Sequence, residues 1–123
     1  MAEVGVNPET SISDTILEFG RPVLDGLPRP AGLDVLKQAL ELVISVWNAF
    51  AMAAPEWGRP EHLAELERLI SVSSSPHMIS AFEALSEARR QRFAADVRVV
   101  RTWDVVIGEA GAARFDCAAC FPS

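Results

Sequence analysis

A chain of 123 residues, half of them hydrophobic and 23% charged, has the size and apolar content of one folded domain, which excludes an intrinsically disordered chain. Its formal net charge of −6 is uneven: residues 1 to 83 carry twelve acids against five bases, and residues 84 to 123 carry five acids against six bases. A phosphate backbone is repelled by such a field unless Arg89, Arg90, Arg92, Arg98 and Arg101 gather on one face, so nucleic-acid binding is not expected.

The expected order along the chain is a loose N-terminal arm over 1–10, a helical core over 11–95 and a β-hairpin over 102–119, all in one domain. Within the arm, Val4 and Val6 alternate like a short strand. From Ser11 or Ser13, either of which suits an N-cap, Ile12, Ile16 and Phe19 recur at helical spacing, and Asp14 favours the positive end of a helix. Gly20 and Pro22 interrupt the pattern, yet it resumes in phase at Val23 and Leu27, which predicts a first helix broken into two pieces that share a buried face. Pro28-Arg29-Pro30 then forces an extended linker.

The second helix is predicted from Leu33 to Ala54. Leu33, Leu36, Leu40, Val43, Trp47 and Phe50 form one stripe, and Val35, Ala39, Leu42, Val46 and Ala49 form another beside it. Polar residues are confined to a narrow strip from Asp34 to Asn48, so this helix belongs at the centre of a bundle or in an interface. Its longest near-apolar stretch, Leu42 to Ala54, is short for a bilayer span and contains Asn48; with no basic-then-apolar leader at the start of the chain, a cytoplasmic location with no membrane contact is expected.

Pro55 to Pro60 reads as a turn that folds Trp57 back over the core. Pro60 opens a third helix with Leu63, Leu66, Leu69 and Ile70 inward, and Ser75-Pro76 opens a fourth carrying Met78, Ile79, Phe82, Leu85 and Phe93. The outer face of the fourth is Glu83, Glu87, Arg90 and Gln91. Beyond Phe93 the period changes to two. Pairing Ile107 with Ala113 sets Val105 opposite Phe115 and Trp103 opposite Cys117 on one face, and leaves Glu109-Ala110-Gly111 as the hairpin loop. The fold class is therefore mainly α, in the α+β sense: a four-helix core with a C-terminal hairpin packed on it.

No motif carries chemistry by itself. Cys117 and Cys120 form a CxxC pair that offers two of the four ligands a structural zinc needs, with His62 and His77 as the only imidazoles to complete it. On a strand the two thiols point to opposite faces, so chelation requires a turn at Ala118-Ala119. His62 and Glu65 stand one helical turn apart, as in carboxylate-bridged metal sites, without the repeated ligands on other helices that such sites use. Ser73 to Ser75 beside His77 is a serine-rich loop feeding a helix cap, with no glycine-flanked nucleophile. Phe93 and Trp103 near the arginines fit core positions better than a base-stacking platform.

The expected function is a non-enzymatic protein–protein interaction module, or a small subunit of a bacterial assembly, whose partner is another protein chain or a second copy of itself. A bacterial origin is expected from coding bias, since ten of eleven basic residues are Arg, there is no Tyr and Ala is frequent. The docking residues expected are Ile44, Ser45, Asn48 and Met52, where the polar strip of the central helix meets an apolar border. Two alternatives are a small zinc-binding protein using Cys117 and Cys120, and an acidic inhibitor or immunity-type protein that covers a basic surface.

Overall fold

The computed structural model describes residues 11–27, 32–73, 75–107 and 113–121. The N-terminal arm, the Pro28-Arg29-Pro30 linker and the Glu109-Ala110-Gly111 loop lie outside them. Among the described residues, five helices, α1 (Ile12–Phe19), α2 (Arg21–Leu24), α3 (Leu33–Ala53), α4 (Glu61–Ser71) and α5 (Pro76–Arg92), precede an antiparallel hairpin of β1 (Val99–Ile107) and β2 (Ala113–Cys120). Helices α1 and α2 are the two pieces of the broken first helix, so the four-helix core with a hairpin on it is the architecture found.

The first break has a packing cause. Ser11 caps α1 by accepting the Asp14 N–H at 3.0 Å. Gly20 then separates α1 from α2, and a Cβ added there would lie 2.9 Å from Val43 Cγ1 of α3. Glycine thus lets the first helix approach α3 closely. Phe19, Trp47 and Phe93 meet edge to face, with ring centroids 5.2 to 5.7 Å apart, and Ile16, Leu40, Val43, Val46 and Leu85 complete a fully buried centre. By length and composition alone α3 could cross a bilayer; here it is the helix on which α1, α2, α4, α5 and β1 pack. Its coverage begins at Ala39, whereas Leu33 and Val35 in its first turn are exposed.

The hairpin keeps the expected register, with Trp103 opposite Cys117, Val105 opposite Phe115 and Ile107 opposite Ala113. It extends further than expected, to Val99 opposite Cys120, across a bulge at Arg101. The bulge changes which residues face inward. Arg98 and Val100 point to the core before it, and Trp103 and Val105 after it, while β2 keeps Phe115, Cys117 and Ala119 inward without a break.

Side chains from α3 and from the turn after it hold the segment entering β1. Trp47 donates its indole N–H to the Arg98 carbonyl at 2.7 Å, and Trp57 donates to the Val97 carbonyl at 2.6 Å. The turn that carries Trp57 passes through Gly58 at a φ of 66°, a left-handed conformation that glycine adopts without penalty. Asn48 accepts the Val100 N–H at 2.8 Å and donates to the Val100 carbonyl at 3.1 Å, pairing with β1 as a neighbouring strand would. On the other edge, Ser13 Oγ accepts the Cys117 N–H at 2.9 Å.

Beneath this junction lies a buried charge cluster. Asp96 and Arg98 form an ion pair at 2.5 Å, and Arg98 also donates to Thr15 Oγ1 at 3.1 Å. Arg89 stacks 4.0 Å from the Trp47 ring centre and donates to the Phe93 and Asp96 carbonyls, closing the C-terminus of α5. Burial pushes the Arg89 guanidinium down to about 10, against the Asp96 charge, which raises it.

Candidate functional site

The chemistry-bearing residues singled out by the sequence do not converge. Strand β2 runs unbroken through Cys120, with no turn at Ala118-Ala119, so Cys117 faces the core and Cys120 the opposite side. Burial raises the Cys117 thiol above its usual range, partly offset by the Ser13 hydroxyl beside it. Such a thiol is less ready to serve as a thiolate ligand. His62 and His77 are exposed on α4 and in the first turn of α5. Among the described residues, no group of three or more His, Cys, Asp and Glu side chains is placed to hold a metal ion.

The arginines are likewise dispersed. Arg89 and Arg98 are core residues, Arg92 pairs with Glu18 at 2.8 Å, and Arg90 lies 3.8 Å from Glu87. Phe93 belongs to the aromatic centre, and Trp103 tilts over Phe115. Ser75 accepts the Met78 N–H at 3.2 Å as the cap of α5, and Ser73 accepts the Ser75 N–H at 3.2 Å. These hydroxyls shape a turn.

What the fold does assemble is a trough along the seam of α3 and α4. One hollow of about 320 Å³ is lined by Ser45, Asn48 and Met52 of α3 and by His62, Glu65 and Leu66 of α4. A second of about 470 Å³ continues from it over Leu42, Leu66, Leu69, Ile70 and Met78, with Gln38 and Glu41 on its edge. Both share Ser45, Leu66 and Leu69, which makes them one groove. Of the expected docking residues, Ser45, Asn48 and Met52 line it, although the Asn48 amide is engaged by Val100. Ile44 does not line it, because it sits in the core at 6% exposure.

The groove exists because α4 is covered on one side only. Its Leu63, Leu66, Leu69 and Ile70 were expected inward; none is buried, and Leu69 is half exposed. Met78, also expected inward, is exposed, and Val72 just beyond α4 is 71% exposed. Periodicity finds the apolar stripe of a helix without saying how many neighbours cover it. Leu66, Leu69, Ile70 and Met78 therefore could not be told from core residues; the available signal was that α4 is short, at 11 residues, and flanked by turns.

From Leu33 to Ala88 there are eight acids and three bases, and the charged residues lining the groove are Glu41 and Glu65. The Arg68 guanidinium, bonded to Glu65 at 2.5 Å, holds that carboxyl below its usual range and so ionised. In comparison with known proteins, no family model, no curated protein and no solved structure matches the chain.

Proposed function

We propose that this protein is a non-enzymatic interaction module, in the manner of a small assembly subunit, whose docking face is the groove between α3 and α4. The observation that carries the reading is the incomplete burial of α4. An amphipathic helix docks because its apolar stripe leaves water, at roughly 25 cal/mol for each Å² removed. Here Leu66, Leu69, Ile70 and Met78 from two helices converge beside Leu42 of α3, with Leu69 and Met78 exposed and Leu66 and Ile70 half-buried. A contiguous apolar trough with polar edges is the form taken by surfaces that meet another chain.

The hairpin is a poorer docking edge. Asn48 occupies the backbone groups of Val100, Ser13 occupies the N–H of Cys117, and the Asp104 carboxylate accepts the Val105 N–H at 2.9 Å. Strand addition needs such groups unpaired.

The test is photo-crosslinking in the native host from a reactive residue placed at Ser45 or Leu69, with Val106 on the hairpin as control. A discrete adduct from both groove positions that disappears in a Leu66→Asp background and is absent from position 106 is the expected result. Equal adducts from all three positions, or none from the groove, would overturn the reading.

A further inference from the structure

We infer that α4 is a strap that opens from α3 as one unit while the rest of the chain stays folded. Opening bares Leu42, Ala49 and Met52, the α3 residues that line the seam, and so governs when that face of α3 can be reached. The strap stands on how α4 is attached, not on the groove being a docking face, so the two readings can fail separately.

α4 is attached less firmly than α1 or α5. The eight residues of α1 bury Ile12, Thr15, Ile16 and Phe19, and α5 buries Leu85, Ser86 and Arg89. The eleven residues of α4 bury none: Leu63, Leu66 and Ile70 are half-buried, and Leu69 is exposed. Its side-chain bonds, Arg68 to Glu65 and Ser71 Oγ to the Arg68 carbonyl, stay within the helix. Segments with few buried apolar contacts open for a fraction of the free energy that unfolds a whole domain. A helix this short is marginal alone in water, so α4 loses its helical bonds when it leaves α3.

The anchors lie outside the strap. Before it, Trp57 donates to the Val97 carbonyl at 2.6 Å and the Arg59 N–H donates to the Met52 carbonyl at 2.8 Å. After it, the Ser73 and Ser75 hydroxyls hold the turn that caps α5. Between them, Pro60 gives α4 no side-chain cap and Val72 at its far end is exposed. The chain can therefore release from Pro60 to Val72 without breaking the bonds that hold β1 or cap α5.

Hydrogen exchange on the full chain in low urea tests this. The amides of Leu66, Leu69 and Ile70 should exchange about a hundredfold faster or more than those of Val43, Val46 and Trp47, and with little dependence on urea, because local opening exposes little surface. Glu67→Pro, which breaks the helical bonds of α4, should leave the α3 amides protected to within about tenfold of the parent chain. Trp57→Phe should speed exchange at Arg59 by about tenfold, as the hinge loses its anchor. Exchange in α4 that matches α3 in rate and urea dependence would overturn the inference, as would unfolding of the whole chain by Glu67→Pro. Unchanged exchange at Arg59 in Trp57→Phe would overturn the placement of the hinge. Fast, urea-independent exchange in α4 with no crosslink from the groove would uphold the strap and sink the docking reading.

Discussion

The two long sides of α3 are finished in different ways. Toward β1, the polar residues of the helix are spent on directional bonds: Trp47 and Asn48 hold the Arg98 and Val100 backbone, with the Asp96–Arg98 pair enclosed beneath. Toward α4, no side-chain hydrogen bond or ion pair joins the two helices among the described residues, and Leu42, Ala49 and Met52 of α3 line the seam with Leu66, Leu69 and Ile70 of α4. Directional bonds fix a single geometry, whereas apolar contact tolerates a change of neighbour. The closed side specifies the fold, and the open side is available for a partner.

The largest test of this contrast is Asp96→Ala. Removing the carboxylate takes the Asp96 partner from buried Arg98 and strips Arg89 of the nearby negative charge that favours its cation. Breaking a buried pair from one side costs about 3–5 kcal/mol, a large part of the roughly 5–15 kcal/mol that holds a domain together. A urea titration should show the midpoint falling with an unchanged slope. A loss below about 1 kcal/mol would mean that water reaches the cluster and that this side is not closed.

Asn48→Ala should come next, at about 1–3 kcal/mol, because it leaves the Val100 N–H and carbonyl without their partners. Hydrogen exchange at the Val100 amide should accelerate more than at Val105, whose N–H is held by Asp104. Equal acceleration at both would show that the hairpin moves as one piece and that Asn48 is not a local anchor.

How far these two sides were legible in the sequence follows from the same distinction. Local patterns carried the fold. The α3 stripes, the Ser11 and Ser75 caps, the break at Gly20 and the pairing of Trp103 with Cys117 depend on period and turn chemistry within short windows. The pairing beyond Arg101 was not legible, because a bulge shifts the alternation by one and ends a period-two pattern that the strand itself continues. Asn48 was visible as a polar residue needing a partner, but not that its partner would be Val100, 52 residues away. The groove was half legible. Ser45 and Met52 stood out on α3, while Leu66, Leu69 and Met78 had the spacing of core residues, since a stripe records what a helix offers and not what covers it.

A smaller effect separates the two edges of the hairpin by pH. Burial holds the Cys117 thiol above its ordinary range, so the folded chain favours the neutral form. The stability this contributes is complete below the ordinary thiol pKa and is lost as pH rises through the raised value. Stability should therefore decline on the alkaline side, and Cys117→Ala should remove that part of the decline. The same thiol should react with iodoacetamide more slowly in the folded chain than in urea at one pH. Equal rates would place Cys117 in open solvent and leave the β2 edge less covered than the Ser13 contacts imply.

The smallest change in folding stability, and the sharpest test of the contrast, belongs to Leu69→Ser. On a closed side, removing a buried leucine costs about 2–5 kcal/mol. Leu69 is half exposed and none of its α4 neighbours is buried, so the isolated chain should lose no more than about 0.5 kcal/mol. A substitution that is nearly silent in the urea titration and yet removes crosslinking would separate the docking face from the core in one residue. If Leu69→Ser instead destabilised the isolated chain as strongly as Asn48→Ala, the seam of α3 and α4 would belong to the core. The exposed leucine would then be part of what holds α4 on, and the distinction between a specifying side and an available one would fall.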